Sequence, residues 1–137
     1  MSCLFCSIAE KRVPASVVYE DEDTLAFLDV NPMAPGHTLI IPKSHAETIL
    51  DLEEDKLGLL IEAVASVEKL IFESLKPSGF TWGVNQGKIS GQEVPHLHIH
   101  LVPRFPGDGG SSFQGLVKNI PKESIKEIAA KINPKNG

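Results

Sequence analysis

The sequence predicts an α+β domain, an antiparallel sheet of about five strands with helices packed against it. Three observations carry that expectation. Short β-prone runs separated by turn residues occupy the first third of the chain, from Val17 to Pro42. One long stretch, 51–75, repeats apolar residues at helical spacing. A third segment, His96–Val102, alternates His with apolar residues in the period-2 pattern of a strand. The 137 residues suit a single domain. Its expected core is about 3–110, with 111–137 forming a C-terminal loop and helix.

In chain order, Val17-Val18-Tyr19 and Thr24–Leu28 read as two strands, and the acidic Glu20–Asp23 between them as a solvated hairpin turn. Asn31-Pro32 and Pro35-Gly36 mark turns, and His37–Pro42 reads as a third strand that Pro42 ends. Asp51, three residues before Glu54, has the spacing of a helix N-cap. Leu57, Leu60, Ile61, Val64, Val67, Ile71 and Leu75 then form an apolar stripe, stopped by Lys76-Pro77-Ser78-Gly79. Such a stripe packs a core and carries no chemistry. Phe80–Val84 and Leu97–Val102 supply two further strands. Phe105–Ser112 is a loop, and Ile120-Pro121 starts a last helix with Ile125, Ile128 and Ala129 facing inward.

Composition narrows the function classes. Hydrophobic residues at 42% and charged residues at 23% lie near globular averages, which excludes wholesale disorder. A net charge of −5 argues against a nucleic-acid polymer as partner. No apolar window approaches bilayer thickness, so no membrane partner is expected. Residues 1–6 lack the basic and apolar regions of a secretory signal. The expected location is therefore cytoplasmic, where Cys3 and Cys6 are thiols or metal ligands rather than a disulfide. Taken alone, the pair reads equally well as two small buried residues.

Three of the five histidines fall in the alternating segment. Strand alternation places His96, His98 and His100 on one face and Leu97, Ile99 and Leu101 on the other. The apolar face anchors the strand, so the imidazoles line a solvent-facing or ligand-facing surface. At ~3.3 Å per residue, His96 and His100 stand about 13 Å apart, too far for all three histidines to share one ion bound at ~2.1 Å, whereas neighbouring pairs could. A division of labour is expected, one outer His serving structure and the others chemistry. A neutral imidazole with one nitrogen pinned is a good nucleophile near pH 7 and suits attack on phosphorus. Upstream, Gly83–Gly87 and Ser90-Gly91-Gln92 offer neutral donors suited to phosphate oxygens, although the glycines read equally well as plain turns.

The run His96-Leu97-His98-Ile99-His100-Leu101-Val102 resembles the signature of the histidine triad (HIT) superfamily, H-φ-H-φ-H-φ-φ with φ apolar. The resemblance extends through Phe27–Pro32, Pro35–His45 and Gly91–Pro95, several blocks in the same order, and covers Cys3 to about Gly110. Within the superfamily it is most similar to Hint-like nucleoside phosphoramidases and small prokaryotic HIT hydrolases. It implies a HIT-like fold with one long helix and short terminal helices. It also implies a homodimer whose sheets join, and a purine nucleotide or nucleotide conjugate bound in each subunit. The implied activity is cleavage at the α-phosphate of nucleoside 5′-phosphoramidates or related nucleotidyl adducts. The alternatives are hydrolysis of dinucleoside polyphosphates, or nucleotide binding without catalysis.

Carried over by position, the resemblance makes His98 the nucleophile of a nucleotidyl-histidine intermediate, and gives His100 and His37 the α-phosphate and the protons. Asn85, Gly91 and Gln92 would contact phosphate, and Asp29 the ribose hydroxyls. Phe5, Ile8, Phe27 and Leu28 would sandwich the base, a role that competes with plain core packing. Members that begin with C-x-x-C imply a structural zinc, one per chain, on Cys3, Cys6, His45 and His96, and no organic cofactor. Glu93 departs from the Hint-type pattern, which has Ser there. A carboxyl at that position acts as an acid only with a raised pKa and otherwise repels a polyphosphate. Lys118, Lys122 and Lys126 read as a solvated helix face or as a reach toward distal phosphates.

Overall fold

The computed structural model describes residues 3–135. Five strands, β1 (Val17–Glu20), β2 (Thr24–Leu28), β3 (Thr38–Pro42), β4 (Gly79–Gly83) and β5 (Ile99–Arg104), form one antiparallel sheet in the order β1-β2-β3-β5-β4. Three helices join them: α1 (Leu4–Ala9), α2 (Glu54–Leu75) and α3 (Ile125–Ile132). The α+β expectation holds, and so does the turn between β1 and β2. There Asp21 folds the chain back by accepting the N–H groups of Asp23 and Thr24 at 2.9 and 2.8 Å.

The pleat sorts the core into two halves. In register, Ala26, Ile40 and Ile99 pair across the sheet, and with Leu97 and Leu101 they pack against Leu60, Ala63, Val64, Val67 and Ile71 of α2. Leu25, Phe27, Leu39 and Ile41 fall on the other face and pack against Cys3, Phe5 and Ile8 around α1. Leu39 pairs with His100, so this second face is also the histidine face. One helix therefore packs on one face of the sheet and the other covers the histidine face.

Several boundaries differ from the sequence reading. The capping box forms between Thr48 and Asp51 on a short 3-10 turn, Ile49–Asp51. Asp51 is therefore not the N-cap of α2, which begins after Glu53 without a side-chain cap. Burial along α2 selects Leu60, Ala63, Val64, Val67 and Ile71, whereas Ile61 is 43% exposed and Leu75 is exposed, because the packed stripe is narrower than the apolar one. Strand β5 starts at Ile99 rather than Leu97. The register puts Leu97 opposite Pro42, which has no N–H to donate, and the Leu97 N–H instead goes to Ala46 C=O at 2.6 Å. The last helix starts at Ile125 behind a Ser124–Glu127 capping box, not at Ile120-Pro121. Ile125 is 85% exposed and does not face inward; Ile128 and Ala129 are half-buried.

Gly36, in the turn before His37, has φ +87°, and a Cβ there would sit 2.7 Å from Leu75 Cδ1. The end of α2 thus presses on the turn that delivers His37. No helix among the described residues is long and apolar enough to cross a membrane.

Candidate active site and metal centre

The ends of β2 and β3 bring Asp29 and His37 together. Asp29 N–H donates to His37 C=O at 3.0 Å, one step beyond the Leu28–Thr38 pair. His100 comes alongside from β5, its Nδ1 3.0 Å from His37 Nε2. His98 precedes β5 on the same face. A cavity of about 400 Å³ opens in front of them, a size suited to a small-molecule ligand.

Backbone partners at both ends fix which ring nitrogen carries each proton. His98 Nδ1 lies 2.7 Å from the His96 carbonyl, which accepts only, so Nδ1 carries the proton and Nε2 keeps its lone pair. Met33 N–H donates to His37 Nδ1 at 3.1 Å, so neutral His37 is protonated on Nε2. That N–H points to His100 Nδ1, which leaves the His100 proton on Nε2. The site thus holds one nitrogen with a free lone pair, His98 Nε2, and a two-imidazole proton chain beside it. Burial holds both rings of the chain neutral at pH 7. It lowers the His37 pKa against the opposing pull of Asp29. Burial also lowers that of His100 to about 4, reinforced by the neighbouring His98 and His37.

Asp29, His37 and His100 have the composition of a metal triad, and their donor atoms lie within 4.8 Å of one another. The Met33 bond argues otherwise. A metal on His37 Nε2 would force its proton onto Nδ1, against another N–H. This cluster is built to pass protons.

Most of the expected pocket residues converge. His98, His100, Asp29, Asn85, Gly91, Glu93, Phe5, Ile8, Phe27 and Leu28 all line the cavity. His37 does not. It is buried behind His100 and acts on the cavity through that ring and through Asp29, whose Oδ2 lies 3.5 Å from His37 Nε2. Gln92 does not line it either. Its side chain braces the loop, accepting from Gly87 N–H at 2.9 Å and donating to Glu47 C=O at 2.8 Å. Gly91 has φ +100° and gives its own N–H to Lys88 C=O, so it serves the turn rather than offering a bare donor. The N–H groups of Glu93 and Val94, both bordering the cavity, have no hydrogen-bond partner among the described residues. Sequence reasoning missed them, as it missed the wall formed by Val13, Pro14 and Ala15. Backbone donors leave no residue-type signal, and that wall has no periodicity.

The triad does not present one exposed histidine face, because His96 is fully buried and His98 only 7% exposed. His96 turns away to Cys3, Cys6 and His45. Its Nδ1 lies 3.5 Å from both sulfurs, and Cys6 Sγ is 3.3 Å from His45 Nδ1. A tetrahedral zinc with ligands at ~2.3 Å (S) and ~2.1 Å (N) requires S···N edges of roughly 3.6 Å, so the donor set has the right size. His96 Nε2 donates to Pro42 C=O at 2.8 Å, which aims the Nδ1 lone pair at the sulfurs. Cys3 caps α1 by accepting the Cys6 N–H. Burial, then the adjoining Cys3, push the Cys6 thiol up to about 11, so a thiolate there at neutral pH needs a cation beside it. These four residues could hold a metal ion.

Comparison with known proteins points to one family. A family model described as the HIT domain matches residues 10–107. An uncharacterized HIT-like protein of Methanocaldococcus jannaschii is 43% identical over 127 residues, covering 92% of this chain and 98% of that one. An adenosine 5′-monophosphoramidase of Schizosaccharomyces pombe is 33% identical over 135 residues, covering 98% of each chain. Among solved structures, a Zn-bound histidine triad family protein from Mycobacterium smegmatis superposes with a TM-score of 0.76 at 38% identity, over 81% of each chain.

Proposed function

The chain belongs to the HIT domain family, and from that premise we propose that it is a nucleotidyl hydrolase acting on nucleoside 5′-phosphoramidates or related nucleotidyl adducts. The observation that carries this reading is the pinned His98 ring, whose one free lone pair faces a cavity of nucleotide size. Nε2 attacks the α-phosphorus, the bond from phosphorus to the leaving nitrogen breaks, and that nitrogen departs as the amine with one proton taken from solvent at the open cavity. A water then attacks the phosphorus, the phosphorus–Nε2 bond breaks, the water's surplus proton returns to solvent, and the nucleoside monophosphate leaves with His98 restored. The His98 Nδ1–H remains on the His96 carbonyl throughout, stabilising the positive charge that the ring acquires. His100, with its proton on Nε2, donates to a phosphate oxygen, and His37 sets that tautomer from behind.

Phe5, Ile8, Phe27 and Leu28 form the apolar wall for the base. Asp29 accepts the Asn31 N–H with one carboxylate oxygen at 2.9 Å, and the other, 3.5 Å from His37 Nε2, has a lone pair left for the ribose hydroxyls. Asn85 and the Glu93 and Val94 N–H groups supply neutral donors to phosphate. Cys3, Cys6, His45 and His96 would hold a structural zinc, which would supply a rigid cross-link rather than chemistry. Edge strand β4, with Trp82 exposed, and the nearby exposed Phe72 of α2 support pairing with a second copy.

Glu93 favours an amine over a polyphosphate as leaving group. It lines both the cavity and an adjoining groove, where it and Glu47 outnumber the one cation, Lys88, and the net negative charge opposes a chain of phosphates. Incubation with adenosine 5′-phosphoramidate is expected to release AMP faster than incubation with a diadenosine polyphosphate. His98→Ala is expected to lower turnover by about a thousandfold or more while zinc content stays unchanged. Turnover that survives in His98→Ala would sink the mechanism.

A further inference from the structure

Helix α1 has six residues, too few to be stable without tertiary support. Among the described residues, every polar tie from residues 3–9 to the sheet runs through Cys3 or Cys6 to His45 or His96. The remaining attachment is apolar, Phe5 and Ile8 on Leu25, Phe27, Leu39 and Ile41. The same helix is a wall of the cavity, with Leu4, Phe5 and Ile8 lining it. Phe5 also stands edge-on against His98, ring centres 5.0 Å apart, and against His96 at 6.0 Å. The core between α2 and the other sheet face contains none of residues 3–9.

We infer that the Cys3–Cys6–His45–His96 set controls nucleotide affinity, because the metal it holds is the tether that docks α1 as a wall of the nucleotide pocket. This rests on the nucleotide reading above and adds a regulatory link to it. Metal removal frees α1 and opens the cavity on that side, while the α2 core keeps the sheet folded. His96 carries the link twice, with its ring in the ligand set and its carbonyl on His98 Nδ1. Phe5 and His96 are therefore positioning residues for His98.

The test uses the full chain, zinc-loaded and freed of excess ion, with AMP as the probe. AMP affinity by calorimetry is followed together with amide hydrogen exchange at residues 4–9 and 60–71. Chelation is expected to weaken AMP binding by about tenfold or more. Exchange protection should be lost at 4–9 and kept at 60–71, and added zinc should restore both. Phe5→Ala, still zinc-loaded, is expected to weaken AMP binding with one ion retained.

Unchanged AMP affinity after chelation overturns the inference, as does retained protection at 4–9. Loss of protection throughout 60–71 also overturns it, since the metal would then hold the entire fold. Wild-type affinity in zinc-loaded Phe5→Ala removes the wall. A loaded chain that takes up no AMP while 4–9 still follow zinc overturns the nucleotide reading instead.

Discussion

Three polar atoms of His96 each face a different part of the structure. Nδ1 faces the two cysteines, Nε2 donates to Pro42, and the carbonyl holds His98. A single residue thus joins the candidate metal site to the segment that carries His98 and His100, just ahead of and within β5. The ligand set is testable residue by residue. Purified wild-type chain is expected to carry about one zinc, by elemental analysis, with Cys3→Ser and His45→Ala each well below that. Full metal content in both variants would refute the set. The histidine cluster was legible in the sequence because alternation at period 2 is a strong pattern. The ring tautomers were not, since these depend on the Met33 N–H and the His96 carbonyl, which reach the rings only after folding.

The long helix was legible as an element, but its boundaries and buried face were not. Thr48, not the helix, claims Asp51 for a cap, because the 3-10 turn ahead of α2 offers it closer N–H groups. The apolar stripe includes Ile61, yet the face that meets the sheet passes through Leu60 and Val64. Thermal or urea unfolding should separate the two. Leu60→Ala is expected to cost about 3–5 kcal/mol as a buried cavity, and Ile61→Ala less than about 1 kcal/mol. Equal losses would place the helix in a different rotation. Helix α1 was legible only through family resemblance, because six residues give no periodicity and its cap is a cysteine sulfur.

At the scale of the whole molecule, α2 stabilises one sheet face while the other carries the buried histidines. The second face makes stability depend on pH. Burial lowers the pKa of His37 and takes that of His100 to about 4, against an ordinary value near 6.5. Above about 6.5 both rings are neutral in either state and contribute no pH dependence. As pH falls from 6.5 toward 4, the unfolded chain binds protons that the folded chain refuses, so stability decreases over that window. Thermal midpoints between pH 7 and 5 are expected to fall, less steeply in His100→Gln. An identical slope in the variant would remove His100 as a source.

Local periodicity and composition were enough for the α+β class, the strand segments, the long helix and the alternating histidines, whereas the Cys3, Cys6, His45 and His96 set came only with the family resemblance. Folding added which nitrogen holds each proton, which face of α2 is buried, that His37 stands behind His100, and that α1 lines the pocket. Each of these depends on contacts between segments far apart in the chain, which no local pattern encodes.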